Sequence, residues 1–191
     1  MPRIEAATVA EHHAQRRAAI VDAAVAVLRV SGPAAVTPAA VAGAAGLARS
    51  SVYQYYPSTG ALLGTALEEE LRRTRDALEA ATARARAPRR RLTAYLDVSL
   101  DAAVAGHQPL GAHAGLELPA EYRERLGELH ACLVRPLVDA VRAVGGDDPE
   151  GTAPLVLGAV GAAAAQVSRG APLPAVRRRL HRFVSASLGL V

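Results

Sequence analysis

A chain of 191 residues with 51% hydrophobic content is long enough to bury a core and make one large domain or two small ones. Its formal charge of +4 comes from 22 basic residues, every one an arginine, against 18 acids; that balance permits a polyanionic partner without requiring one. The single cysteine, Cys132, excludes an internal disulfide and fits a reducing cytoplasm, while the start MPRIEAATVAEHH, with early acids and no apolar core, is not expected to act as a secretory signal.

The punctuation along the chain is helical throughout, and no strand-like alternation of any length interrupts it. Ile20, Ala23, Ala24, Val27 and Leu28 fall at helical spacing and predict a first helix from about Glu11 to Val30, stopped by Gly32-Pro33. Thr37 is a strong N-cap, Pro38 suits a first helical position and Gly46 a C-terminal stop, so a second helix of about two turns follows. A third, from about Arg49 to Tyr55, ends before Pro57. Ser58 can cap a long charged helix reaching about Arg86. Beyond Pro88 come helices at about Arg89–Ala105 and Pro119–Val144, the latter with a kink expected at Pro136. The stretch GGDDPEG reads as a loop, and helices at about Thr152–Arg169 and Pro174–Leu188 close the chain. The expected fold is all-α with about nine helices, divided into a domain at 1–60 and a helical domain at 61–191.

Gly151–Ser168 contains no charged residue and reaches the usual membrane-span length of about 18. Its Ala and Gly content is only weakly apolar, so a buried helix of a chain with no membrane partner is expected.

Two short helices joined by Gly-Leu-Ala behind a third helix describe a helix-turn-helix, whose second short helix enters a major groove. The residue types suit that use. Arg49 is a flexible donor. Ser50 and Ser51 are small, so the backbone can approach DNA. Gln54 can pair bidentately with adenine, and Tyr53 and Tyr55 combine ring anchorage with a hydroxyl. An ordinary amphipathic core element would use the same residues, so this stretch alone leaves both readings open.

The order and spacing of Arg17, Ile20, Val21, Ala23, Ala24, Val27, Leu28, Gly32, Thr37, Val41-Ala42, Ala45-Gly46-Leu47, Ser51-Val52-Tyr53 and Tyr56 go further. Over about residues 15–63 they resemble, without a gap, the N-terminal DNA-binding domain of the tetracycline-repressor (TetR) family. The resemblance implies an N-terminal three-helix DNA-binding domain, a helical ligand-binding and dimerisation domain after it, and a double-stranded DNA operator as partner. Thr37, Ser51, Tyr53 and Ser58 are then the expected phosphate anchors, and Arg49, Ser50, Gln54 and Tyr55 the residues facing bases. Three departures stand out: Ala48 replaces a capping Ser, Ser58-Thr59-Gly60 replaces Ser-Lys-Glu, and residues 1–60 hold five arginines against three acids. The reading head is therefore weakly basic, and a shallow salt dependence is expected of it.

In the second half, Leu92, Tyr95, Leu96, Ser99 and Ala103 share one helical face, and Tyr122, Leu126, Leu129, Leu133 and Leu137 another. Such faces make plain core, or apolar pockets with a few polar handles between helices. The candidate ligand-binding set is Tyr95, Ser99, Ala103, His113, Leu116, Tyr122, Leu126 and His130. The histidine and acid spacings match no metal signature, so neither metal nor cofactor is expected. The candidate dimer interface is a small-residue face, Gly158, Gly161, Ala162 and Ala165, with an apolar stripe, Val176, Leu180, Phe183 and Val184.

These features favour a cytoplasmic, homodimeric, ligand-responsive transcriptional regulator, a repressor released from a palindromic operator by a small, largely apolar effector. The alternative is a small-molecule-binding helical enzyme or carrier with structural N-terminal helices; no nucleophile–base constellation or phosphate loop supports it. A DNA-binder without an effector is the third reading, distinguished by a solid second domain.

Overall fold

The computed structural model describes residues 9–105 and 116–190, and every regular element among them is helical. The helices are α1 (Val9–Ser31), α2 (Pro38–Ala45), α3 (Arg49–Tyr55), α4 (Thr59–Ala83), α5 (Pro88–Val104), α6 (Ala120–Ala143), α7 (Pro149–Ser168) and α8 (Leu173–Ser187), with a 3₁₀ turn at Pro33–Ala35. The eight helices placed individually from sequence are all present; against the expected count of about nine, the described residues hold eight α-helices. α6 continues through Pro136.

The most informative difference in boundaries is at α7. Its start lies inside the stretch read as a loop, because Asp-Pro-Glu is a helix opening. The Gly151 N–H donates to Asp148 Oδ1 at 3.0 Å, Pro149 occupies the first position and Glu150 the first turn.

The chain forms two compact units. The first comprises residues 1–69 and 117–123, the second residues 70–116 and 124–191. In the first, α1 packs on α2 and α2 on α3. Ile20, Ala24 and Leu28 of α1, Val41 of α2, Val52 of α3, Tyr56, and Leu62, Ala66 and Leu67 of α4 form its interior. Residues 117–123 close on the start of α4. Gly64 makes this approach possible: a Cβ there would overlap Tyr122 Cγ and Cδ1 and stand 2.9 Å from Tyr122 Cβ. The Tyr122 hydroxyl shares a hydrogen bond of 3.2 Å with Thr65 Oγ1. Gly64→Ala is therefore expected to lower stability by about 1–3 kcal/mol through overpacking, although alanine would gain about 1 kcal/mol in an unobstructed helix. A downward shift of the urea midpoint at constant m-value checks this.

In the second unit α5, α7 and α8 pack on one another. Leu92, Tyr95, Leu96 and Leu100 of α5 are buried, as are Leu133, Leu137 and Val141 of α6, Val156 and Val160 of α7, and Val176, Leu180 and Val184 of α8. α8 is held on α5 by a polar cluster as well: Arg177 pairs with Asp97 and Asp101, and His181 Nε2 lies 2.9 Å from Asp97 Oδ1.

α7 corrects the expectation of a buried helix. It is long and apolar enough, by length and composition, to cross a membrane, yet only 28% of its most apolar 18-residue stretch is buried. Ala153, Val156, Val160, Ala163 and Ala164 face the unit's interior, whereas Leu155, Gly158 and Ala162 are exposed. An Ala/Gly helix has little apolar contrast between its faces, so its sequence does not reveal that one side is uncovered.

Candidate nucleic-acid interface

The α2–turn–α3 segment is defined by local chemistry. Thr37 caps α2 by accepting from the Ala40 N–H at 3.2 Å. Gly46 ends it with φ 66, the left-handed conformation that glycine adopts without a Cβ penalty. The Leu47 N–H returns to the Ala42 carbonyl at 2.9 Å, which turns the chain toward α3. α3 then starts without a side-chain cap, since Ala48 has no acceptor to offer. Ser58, exposed, caps α4 by accepting from the Ala61 N–H at 3.1 Å.

α3 is seven residues long, and Val52 is its one buried residue. Tyr56, immediately after it, is buried, and the neighbouring Tyr56 hydroxyl raises the pKa of Arg17 on α1. Those two apolar anchors leave Arg49, Ser50, Tyr53 and Gln54 exposed, with Ser51 half-buried. Arg49 and Tyr53 are one turn apart and act together: the guanidinium donates to the Tyr53 hydroxyl at 3.2 Å and stands 5.6 Å from the ring centroid. This pairing holds a long cation against an otherwise exposed aromatic ring and presents both at one edge of the helix. Ser50 and Gln54, also one turn apart, form the adjacent strip. Tyr55 is placed differently from the other exposed residues. It is half-buried, with its ring 4.5 Å from the His13 ring on α1, and so serves as a packing contact between α1 and α3. Nothing in the sequence near His13 signals that contact.

The candidate ligand residues are dispersed. Tyr95 is fully buried and donates its hydroxyl to the Leu133 carbonyl at 2.9 Å; burial pushes its pKa up to about 12. It is a staple between α5 and α6. Ser99 and Leu126 are buried; Ala103 and Leu116 are half-buried. Tyr122 belongs to the first unit, on Gly64 and Thr65. His113 lies outside the described residues. His130 lines a concavity. This groove, of about 610 Å³ and partly open, is formed by His130, Ala131 and Val134 of α6 with Pro154, Leu157, Gly158, Gly161 and Ala162 of α7. Burial pushes the His130 pKa down, which favours a neutral imidazole there.

The candidate dimer residues divide in the same way. Val176, Leu180 and Val184 belong to the chain's own core, which leaves them no surface for a partner. Gly158 and Ala162 are exposed, Gly161 and Ala165 half-buried, and Phe183 is 60% exposed. Leu155, not among the sequence candidates, is 74% exposed on the same helix as Gly158. Among the described residues no group of three or more His, Cys, Asp or Glu could hold a metal ion.

Comparison with known proteins agrees with the helix-turn-helix geometry. Residues 20–66 match the sequence model of bacterial regulatory proteins, tetR family. The fold is shared with a bacterial regulatory protein in the tetR family from Rhodococcus RHA1, at 22% identity and TM-score 0.64, covering 93% of this chain and 97% of that one. It is shared with the transcriptional regulator FadR from Bacillus subtilis in complex with stearoyl-CoA, at 16% identity and TM-score 0.69, over 87% and 96% of the two chains. A structure from Saccharomonospora viridis in complex with choline superimposes with TM-score 0.75 at 16% identity, over 91% and 96%. No curated protein has a matching sequence.

Proposed function

We propose that this chain, whose residues 20–66 match the sequence model of bacterial regulatory proteins of the tetR family, is a cytoplasmic, homodimeric transcriptional repressor released from a palindromic operator by a small, largely apolar molecule. The observation that carries the DNA-binding part is the exposed edge of α3. A seven-residue helix held by Val52 presents Arg49, Ser50, Tyr53 and Gln54 together, behind the left-handed Gly46 turn. In this reading Arg49, Ser50 and Gln54 face base edges. Thr37, Ser51, Tyr53 and Ser58 hold phosphates, helped by the helix N-termini that Thr37 and Ser58 cap. Tyr55 supports α3 from behind through His13.

Selection of bound sequences from random duplex DNA tests the class and the stoichiometry together. A dimer should enrich a palindrome whose half-sites are separated by one helical turn, roughly 34–36 Å, or a multiple. Enrichment of no sequence would reject the reading. With that operator in hand, Tyr53→Phe should weaken binding to all sequences about equally. Gln54→Ala should relax preference at particular positions by roughly 1–3 kcal/mol each. Equal loss of specificity from both changes, measured by competition with single-base operator variants, would reject the division of roles.

For dimerisation, the exposed apolar side of α7 and α8, with Leu155, Gly158, Ala162 and Phe183, offers a surface that a second copy would cover. For effector binding, the groove between α6 and α7 supports the reading better than the Tyr95 face does. It is mostly apolar and supplies one neutral polar handle, His130. Effector and operator select different conformations, so each weakens the other by the same factor, about 5- to 150-fold for a typical coupling. α4 and α6 each begin in the first unit and end in the second, and are the covalent routes for that coupling.

A further inference from the structure

The basic charge of this protein is not where its reading helix is. The first unit holds six arginines against seven acids, the second sixteen against eleven. Five of those sixteen, Arg84, Arg86, Arg89, Arg90 and Arg91, fall in the corner between α4 and α5, all exposed, and no acid occurs between Glu79 and Asp97. Arg91 is tied down, donating to the Ala85 carbonyl at 2.8 Å. Among the described residues the other four make neither an ion pair nor a side-chain hydrogen bond. On α8, by comparison, two of the four arginines are engaged: Arg177 is paired with Asp97 and Asp101, and Arg179 bonds Gln166, while Arg178 and Arg182 are exposed without such a partner among the described residues.

Helix stability does not explain this arrangement. Arg89, Arg90 and Arg91 occupy the first turn of α5, which has no acid and no side-chain cap. Cations at a helix N-terminus oppose the macrodipole, where anions would be favoured. The corner therefore keeps like charges together against both their mutual repulsion and the helix field, a cost that a polyanion would reverse.

We propose that the α4–α5 corner is a second nucleic-acid surface, one that holds the phosphate backbone of duplex DNA without reading its sequence. Guanidinium forks match phosphate geometry, and four unpaired ones can release four counterions. A membrane surface fits less well: the residues interleaved with the arginines are Ala85, Ala87 and Pro88, with no large apolar side chain to enter a bilayer. Duplex DNA is the polyanion that the α3 reading already requires, and the first unit, near neutral with six arginines against seven acids, supplies little long-range attraction for it. The inference rests on that reading for the identity of the polyanion. It adds that affinity for DNA in general, and its salt dependence, come from a different part of the chain than sequence preference.

The test measures binding of a random-sequence duplex by fluorescence anisotropy between 50 and 200 mM salt. Arg84→Gln, Arg86→Gln, Arg89→Gln and Arg90→Gln combined should reduce the slope of log K against log salt by about 3–4, from roughly 0.9 per phosphate contact. The pair Arg89→Gln and Arg90→Gln should reduce it by about 2. The ratio of affinities for a selected palindrome and the random duplex should stay as in the wild type. Far-ultraviolet circular dichroism and thermal midpoint should show both variants folded, since the replaced side chains are exposed and make no ion pair or side-chain hydrogen bond among the described residues. A wild-type slope in the folded variants would overturn the proposal. So would arginine-dependent binding to phosphatidylglycerol vesicles with the duplex slope unchanged, which would make the corner a membrane surface. Wild-type protein that binds a selected palindrome but no random duplex overturns this inference alone. Protein that binds neither overturns the α3 reading with it.

Discussion

Leu180→Glu is expected to unfold the second unit, whereas Phe183→Glu is expected to leave the fold intact and change only the assembly. The two residues lie on one apolar stripe in the sequence, but Leu180 is 4% exposed and Phe183 60%. A carboxylate at Leu180 would be buried without a partner among Val176, Val184 and the facing helices. The cost, about 3–5 kcal/mol or more, approaches the whole stability of an ordinary domain. A glutamate at Phe183 meets solvent in the single chain and a second copy only in a dimer. Circular dichroism and sedimentation velocity separate the outcomes. Leu180→Glu should lose its cooperative transition; Phe183→Glu should keep it and sediment as a monomer at micromolar concentration, with wild type as the dimer. Wild-type protein that sediments as a monomer would reject the dimer.

The second large effect is expected at Tyr95. Tyr95→Ala should cost about 3–5 kcal/mol, as for other buried aromatic residues. Tyr95→Phe should cost about 1 kcal/mol, the net worth of its hydrogen bond to the Leu133 carbonyl. The pH dependence distinguishes a buried staple from a solvent-facing ligand handle. The folded-state pKa of about 12 is above the unfolded value near 10, so the contribution of Tyr95 is fully present below pH 10. Above it the unfolded phenol ionises while the folded one stays protonated. Stability then falls as pH rises toward 12, by at most about 2–3 kcal/mol. Urea unfolding at pH 8 and pH 11 should show that loss in wild type and a smaller one in Tyr95→Phe. An equal loss in both proteins would place the tyrosine hydroxyl outside the core.

The first 60 residues were the most legible part of the chain. Thr37, Pro38, Gly46 and Ser58 each act on backbone groups within four residues of themselves, and their roles are visible without a tertiary partner. Where reading went astray, the deciding contact was distant. Tyr55 looked like a base-facing residue because His13, on another helix, is invisible from α3. Tyr122 looked like a pocket handle because its seat, Gly64, lies 58 positions away in the chain. Of the six polar or aromatic α3 residues singled out from sequence, Arg49, Ser50, Tyr53 and Gln54 are exposed, while Ser51 and Tyr55 are half-buried.

What the sequence determined by itself, then, is the succession of helices and the caps and stops that bound them. All depend on φ/ψ preference and hydrogen bonds over one or two turns. What only the tertiary structure decided is which of two apolar faces is inside. α7 is nearly as apolar on one side as on the other, and Leu180 and Phe183 differ little in hydrophobicity. Only the packing of α5, α7 and α8 buries the one and leaves the other in solvent. Hydrophobic periodicity states how much surface must be covered; contacts between residues far apart in the chain settle what covers it.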